Sequence, residues 1–242
     1  MVTVDQGVRS SLLLGIAKHS PFIQDLYGVP MTDRTSTWTT RMRWLVVVGY
    51  VVCWVIGLVV GGPPLTPDAD SAEVTDEFRD SPTHLIFAIF VHGIAAVLLV
   101  ALGRSLASTS TSGGVITFAA VAAILSLVQL AGEIFLTIGP EIRLASVVWQ
   151  LICRADGVKM LVLAGLIVLV HGGHFRGRLT LTIVSAAASI SLLLSGIGYL
   201  NLNAFLMEVT TASLPLLLIW ALMATAERVS EMPSAKVAGI GR

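Results

Sequence analysis

The chain has 242 residues, of which 55% are hydrophobic and only 12% are charged. Its mean hydropathy of +0.86 is far above that of a soluble domain. Fifteen basic and fifteen acidic side chains cancel, so the charge balance gives no indication of nucleic acid as a partner. Composition therefore predicts an all-α integral membrane protein whose first partner is the lipid bilayer.

Six apolar segments are long enough to cross the ~30 Å hydrocarbon core of a bilayer. We predict one membrane domain over residues 43–228, a six-transmembrane-helix bundle with spans at about residues 44–61, 85–102, 115–138, 144–170, 179–200 and 204–226. Residues 1–42 and 229–242 are predicted to be cytoplasmic tails. An alternative start of translation at Met31 remains open.

An acidic segment over residues 62–83 is predicted to form the outer loop between the first two spans. Within it, Asp70 and Glu73 have the spacing of a capping box, and Val74 and Phe78 form an apolar pair one turn apart. The loop is therefore expected to contain a short surface helix.

Basic residues are concentrated on one side of the predicted spans. That side carries Arg34, Arg41, Arg43, Arg104, Arg176, Arg178, Arg228 and Lys236, and the other side carries only Arg79 and Arg143. The positive-inside rule then predicts that both termini are cytoplasmic and that the acidic loop is outside. The expected location is the cell (plasma) membrane.

Polar side chains interrupt four of the six spans. They are His92, Gln129, Glu133, Gln150, Arg154, Asp156, Lys159 and Glu208. A charge at the bilayer centre costs at least ~2.5 to 3.5 kcal/mol, so these groups are expected to face partners or water. At 1.5 Å per residue, the ionisable ones lie about 8 to 22 Å from the outer ends of their helices. The sequence predicts a buried, outward-facing charge cluster.

Helical spacing suggests which of these groups pair. Asp156 and Lys159 are three residues apart and can satisfy each other. Arg154 lies ~200° around the helix from Asp156, so a different carboxylate is expected for it. Glu133 and Glu208 are the two candidates.

The counted acids exceed the bases by one, and three fates are open for the extra carboxylate: it is protonated, it pairs with His92, or it binds a cation. The leading hypothesis is binding or transport of a small solute, an ion or a proton, without catalysis. A second is a redox protein that holds haem, copper or quinone around His92, and a third is a structural or regulatory subunit. A homodimer or a membrane-complex partner is expected, whereas no cofactor is identified.

Two stretches resemble known membrane protein families. GLVVGGPPLTPDADSAEVTDEFRDSPTHL resembles small six-helix membrane proteins of actinobacteria that carry no assigned function. VVWQLICRADGVKMLVLAG is similar to a span of copper-resistance D-type membrane proteins. The second resemblance implies copper handling across the membrane.

Overall fold

The computed structural model describes residues 40–60, 65–79, 82–107, 111–139, 142–174 and 178–231, without the side chains of Pro82, Ile142 and His174. All regular elements in these ranges are helices, and five helices are long and apolar enough to cross a membrane. The predicted all-α fold is confirmed for the described residues, and the five apolar helices are compatible with a multi-pass membrane protein. Most of both predicted tails lies outside the described residues.

The helices follow the predicted spans and extend beyond several of them. They are α1 Thr40–Val60, α2 Ser71–Phe78, α3 from Pro82 to Leu106, α4 Ser112–Ile138, α5 Ile142–His174, α6 Leu179–Leu200, α7 Ala204–Met207 and α8 Thr210–Ser230. The five that meet the length and composition of a span are α1, α3, α4, α6 and the pair α7 and α8. At 33 residues, α5 is the longest of the described helices.

The six long helices form a closed ring. Each packs on the next in the order α1, α3, α4, α5, α6 and α8, and α8 returns to α1. The contacts of α5 with α4 and α6 are the most extensive. Trp220, Tyr50, Leu102 and Ile167 are among the buried side chains that hold the ring together, whereas apolar residues such as Ile124 are exposed on its outside.

One end of the ring, which we call the loop end, is covered by residues 65–79. Here α2 begins with the predicted capping box. The Asp70 side chain accepts a hydrogen bond from the backbone amide of Glu73, and the Glu73 side chain accepts one from the backbone amide of Asp70. The Ser71 hydroxyl lies 2.8 Å from that of Ser146, and Trp149 Nε1 donates to the Thr66 carbonyl at 2.9 Å. These bonds fix α2 to the first turns of α5.

The opposite end, which we call the basic end, carries arginines that bind the last carbonyls of α3. Arg43 donates to the Ser105 carbonyl, and Arg228 Nη2 donates to the Ala107 carbonyl at 3.1 Å. Carbonyls at a helix end need such partners. These donors explain why α3 continues to Leu106, past the predicted limit of residue 102.

Two glycines allow α5 and α6 to approach each other closely. A Cβ atom on Gly157 would lie 2.9 Å from the Gly196 carbonyl oxygen. A Cβ atom on Gly196 would likewise lie 2.9 Å from the Gly157 carbonyl oxygen. Since backbone atoms cannot move aside, only glycine fits at either position. The contact places Gly157, three residues after Arg154, beside the last turn of α6.

The middle of α3 is not an ordinary α-helix. Residues Ala88–Ile94 form a π-helical segment between the α-helical segments Pro82–Phe87 and Ala95–Leu106. His92 belongs to this segment. π-Helical turns are rare and occur frequently at functional sites because they redirect side chains, and sequence periodicity does not predict this one.

Candidate functional site

A partly open cavity of about 170 Å³ lies at the loop end of the ring. Its wall is mostly apolar and includes five aromatic side chains: Trp54, Phe78, Phe87, Trp149 and Tyr199. Polar side chains from four helices also line it: His84 and His92 of α3, Gln129 and Glu133 of α4, Asp156 of α5 and Thr210 of α8. Few convergent polar groups in an apolar pocket are typical of a small-molecule site.

His92 and Glu133 form a loose pair in the cavity wall. His92 Nε2 lies 3.4 Å from Glu133 Oε1, beyond the about 2.7 to 3.2 Å of an ordinary hydrogen bond. Both residues are only 5% exposed. His92 Nδ1 and Glu133 Oε2 are buried without a hydrogen-bond partner among the described residues. Three fates were left open for the extra carboxylate, and the contact between His92 and Glu133 corresponds to the pairing with His92. The second oxygen of Glu133, Oε2, takes no part in this contact.

Lys159, Gln129 and Asp156 form a second, fully paired group that we call the brace. Lys159 Nζ lies 2.5 Å from Asp156 Oδ1, as the three-residue spacing predicts, and donates to Gln129 Oε1 at 2.7 Å. Gln129 Nε2 in turn donates to Asp156 Oδ1 at 3.0 Å. The Lys159 ammonium also lies 5.9 Å from the centre of the Trp54 ring. The brace joins α4 to α5 and satisfies its own charges.

The loop end closes over the cavity through aromatic contacts. Phe78 of α2 stacks on His84 with ring centres 4.5 Å apart and packs on Trp149 at 5.7 Å. His84 Nε2 also pairs with Glu77 Oε1 at 2.8 Å. None of these residues was predicted to belong to the site. Tryptophan near the end of a span was the available signal for Trp149.

Three residues of the predicted charge cluster belong neither to the cavity wall nor to the brace: Arg154, Glu208 and Gln150. Arg154 is exposed on α5, and within the described chain no ion pair joins it to Glu133 or Glu208. Its predicted pairing is therefore wrong: Arg154 shares an outward stripe with Leu151 and Val158, and Glu133 is held by His92.

Glu208 and Gln150 are also outside the site. Glu208 is exposed between α7 and α8, and Gln150 is half-buried on α5. Neither is among the described residues that line the cavity. Glu208 lies within the predicted sixth span, where α7 and α8 together form one candidate span over Ala204–Ser230 and the backbone of Glu208 keeps helical angles.

The described residues contain no group of three histidine, cysteine, aspartate or glutamate side chains arranged to hold a metal ion. Cys53 and Cys153 are both free and buried. No family model, curated protein or solved structure matches the chain. The site must therefore be interpreted from its own geometry.

Proposed function

We propose that this chain is a membrane protein that binds a small solute in the cavity beside His92 and Glu133. The observation that carries the proposal is that His92 Nδ1 and Glu133 Oε2 are buried at the cavity wall and have no hydrogen-bond partner among the described residues. An unpaired polar atom buried in protein costs about 1 to 3 kcal/mol. A bound solute that pairs with these atoms recovers that cost, and intramembrane ionisable residues mark functional sites by default.

The proposed topology has six spans, with α5 as the sixth. Its 33 residues extend over about 50 Å at 1.5 Å per residue, more than the ~30 Å of the hydrocarbon core. Six spans put both termini on one side. The arginines at the basic end, Arg43, Arg178 and Arg228, support placing that side in the cytoplasm. The cavity then opens to the outside of the cell membrane.

Proton-coupled transport is the most specific form of this proposal. A histidine and carboxylate pair can hold one proton and release it when a solute takes its place. The brace beside it carries a balanced lysine and aspartate, so a change in charge falls on His92 and Glu133. A homodimer is proposed for the working protein because six spans without a repeat make a single carrier unit less favourable.

Solute binding by the purified protein tests the proposal. Sodium, methylammonium, acetate and glucose are each added to the protein in nanodiscs while its midpoint of thermal unfolding is measured. A solute that binds the folded state raises this midpoint. We expect a rise with at least one solute, reduced in Glu133→Gln and retained in Ser191→Ala, whose buried hydroxyl bonds to its own helix. No rise with any of the four, or an equal rise in Glu133→Gln, contradicts the proposal.

A further inference from the structure

We propose that the solute of this cavity is a small organic cation, an inference that rests on the proposed binding function. The charged and titratable side chains in the wall are Glu133, Asp156, His84 and His92, together with Tyr199 and Cys153. No lysine or arginine in the described part of the chain lines the cavity. The acidic side chains in this wall are therefore not matched by a basic side chain that also lines the cavity.

The Glu133 carboxylate is the group available to a cation. Asp156 is already neutralised by Lys159 at 2.5 Å and held by Gln129 at 3.0 Å. Glu133 Oε2 has no partner among the described residues, and Oε1 is held only at 3.4 Å by His92. A carboxylate oxygen accepts hydrogen bonds and attracts positive charge. An anion would instead face the Glu133 carboxylate, and no lysine or arginine of the described residues lines the cavity to offset that charge.

The aromatic wall specifies an organic cation over a bare metal ion. Trp54, Phe87 and Tyr199 line the same cavity as Glu133, and a ring face attracts an ammonium group within about 6 Å. The ring of Trp54 already has the Lys159 ammonium at 5.9 Å. Hard metal cations such as Ca²⁺ and Mg²⁺ instead prefer to be coordinated by several oxygen atoms. A cavity lined by aromatic rings and by the Glu133 carboxylate therefore has the groups that bind an alkylated ammonium.

The size of the cavity sets an upper limit on the solute. Its volume of about 170 Å³ is comparable to the ~150 Å³ of an apolar cavity that binds benzene. One ring, or a compact alkylammonium group, fits this space. Larger multi-ring cations exceed this volume.

Exchange with a proton follows from the pairing of Glu133. A proton held by the pair and a monovalent cation bound at Glu133 would each offset the same negative charge, so the two compete for one site. The neighbouring charges are those of Asp156 and Lys159 on α5, and His84 with its partner Glu77 lies nearer the mouth. Cation binding is therefore expected to weaken as the pH falls.

Three probes of one shape but different charge test the inference: tetramethylammonium, tert-butanol and pivalate. Binding to the protein in nanodiscs is followed by tryptophan fluorescence, because Trp54 and Trp149 line the cavity. We expect saturable binding of tetramethylammonium alone, at least tenfold weaker in Glu133→Gln and unchanged in Ser191→Ala. Where Glu133→Gln does not fold, Phe87→Leu replaces it, since removal of a lining ring weakens cation binding several-fold.

The outcomes separate this inference from the proposed function. If tert-butanol or pivalate binds as tightly as tetramethylammonium or more tightly, and this binding depends on Glu133, the inference that the solute is a cation is wrong. The proposal of a solute site beside Glu133 is then still supported. Tetramethylammonium binding that is equally tight in Glu133→Gln, or no binding of tetramethylammonium at all, also overturns the inference. The proposed function is then decided by the four solutes described above.

Discussion

Two groups of polar side chains lie side by side at the loop end, and they differ in how completely their atoms are paired. In the brace, the Lys159 ammonium has the Asp156 carboxylate and the Gln129 amide oxygen as partners. In the other group, His92 and Glu133 each keep one buried atom without a partner among the described residues. A satisfied network rigidifies its surroundings, whereas an unsatisfied one is costly unless a ligand completes it.

Loss of one partner from the brace is expected to destabilise the protein strongly. Lys159→Met leaves the half-buried Asp156 carboxylate with only the Gln129 amide as a donor among the described residues. Removal of one member of a buried ion pair costs about 3 to 5 kcal/mol. The measurement is the midpoint of unfolding of the variant in the same detergent as the parent protein.

The double variant Lys159→Met with Asp156→Leu provides the control. Since apolar replacement of both members of a buried pair is often nearly neutral, we expect it to recover most of the lost stability. If the losses of Lys159→Met and Asp156→Leu, each measured alone, simply add in the double variant, the two residues do not act as a unit, and the ion pair of the brace does not stabilise α5 as described above.

At the scale of the helices, the contact between α5 and α6 sets the level of the cavity. Gly157 and Gly196 bring the two backbones together. Gly157 directly follows Asp156, and Gly196 lies three residues before Tyr199. Both Asp156 and Tyr199 line the cavity. Displacement of this contact therefore moves two parts of the wall. The glycines contribute through the space that they leave free.

Substitution of Gly157 by alanine is expected to destabilise the bundle. The new Cβ atom would lie 2.9 Å from the Gly196 carbonyl and 3.0 Å from the Leu200 backbone nitrogen, and such overpacking costs about 1 to 3 kcal/mol. Gly172→Ala in the same helix is the matched control, because its Cβ atom meets nothing within 4 Å. A lower unfolding midpoint only in Gly157→Ala is expected. Equal midpoints for the two variants contradict a close α5 and α6 contact.

The features that could be predicted from the sequence are those that depend on the residues of a single helix. Apolar length predicts the long helices, and the spacing of Asp70 and Glu73 predicts the capping box of α2. The pair Asp156 and Lys159 follows from helical spacing within α5. Each of these features depends on neighbours within about one turn.

Features that depend on two helices were predicted only as one alternative among several, or were not predicted. The choice of His92 as the partner of Glu133 depends on the π-helical segment of α3, which hydrophobic periodicity does not reveal. Arg154 was expected inside, but its side of α5 turned out to face outward. Long basic side chains on such a face can extend their charge toward the membrane surface. The aromatic wall likewise comes from separate segments of the chain.

At the scale of the whole molecule, the two ends of the ring differ in charge and in openness. The basic end joins its helices through arginines on backbone carbonyls and on Glu227. The loop end holds the cavity under α2, which carries acidic residues. A solute site at the loop end, open to the outside of the cell, is the central claim.

The reaction of a thiol placed at residue 133 tests that claim most directly. Glu133→Cys is made with Cys53→Ala and Cys153→Ala, and intact cells are treated with a membrane-impermeant, positively charged methanethiosulfonate. Ala119→Cys in the same background is the control, since residue 119 lies on α4, is fully buried and does not line the cavity. We predict labelling of Glu133→Cys from outside and none of Ala119→Cys. An unlabelled Glu133→Cys, or one labelled only after the cells are opened, would contradict a cavity that opens outward beside Glu133.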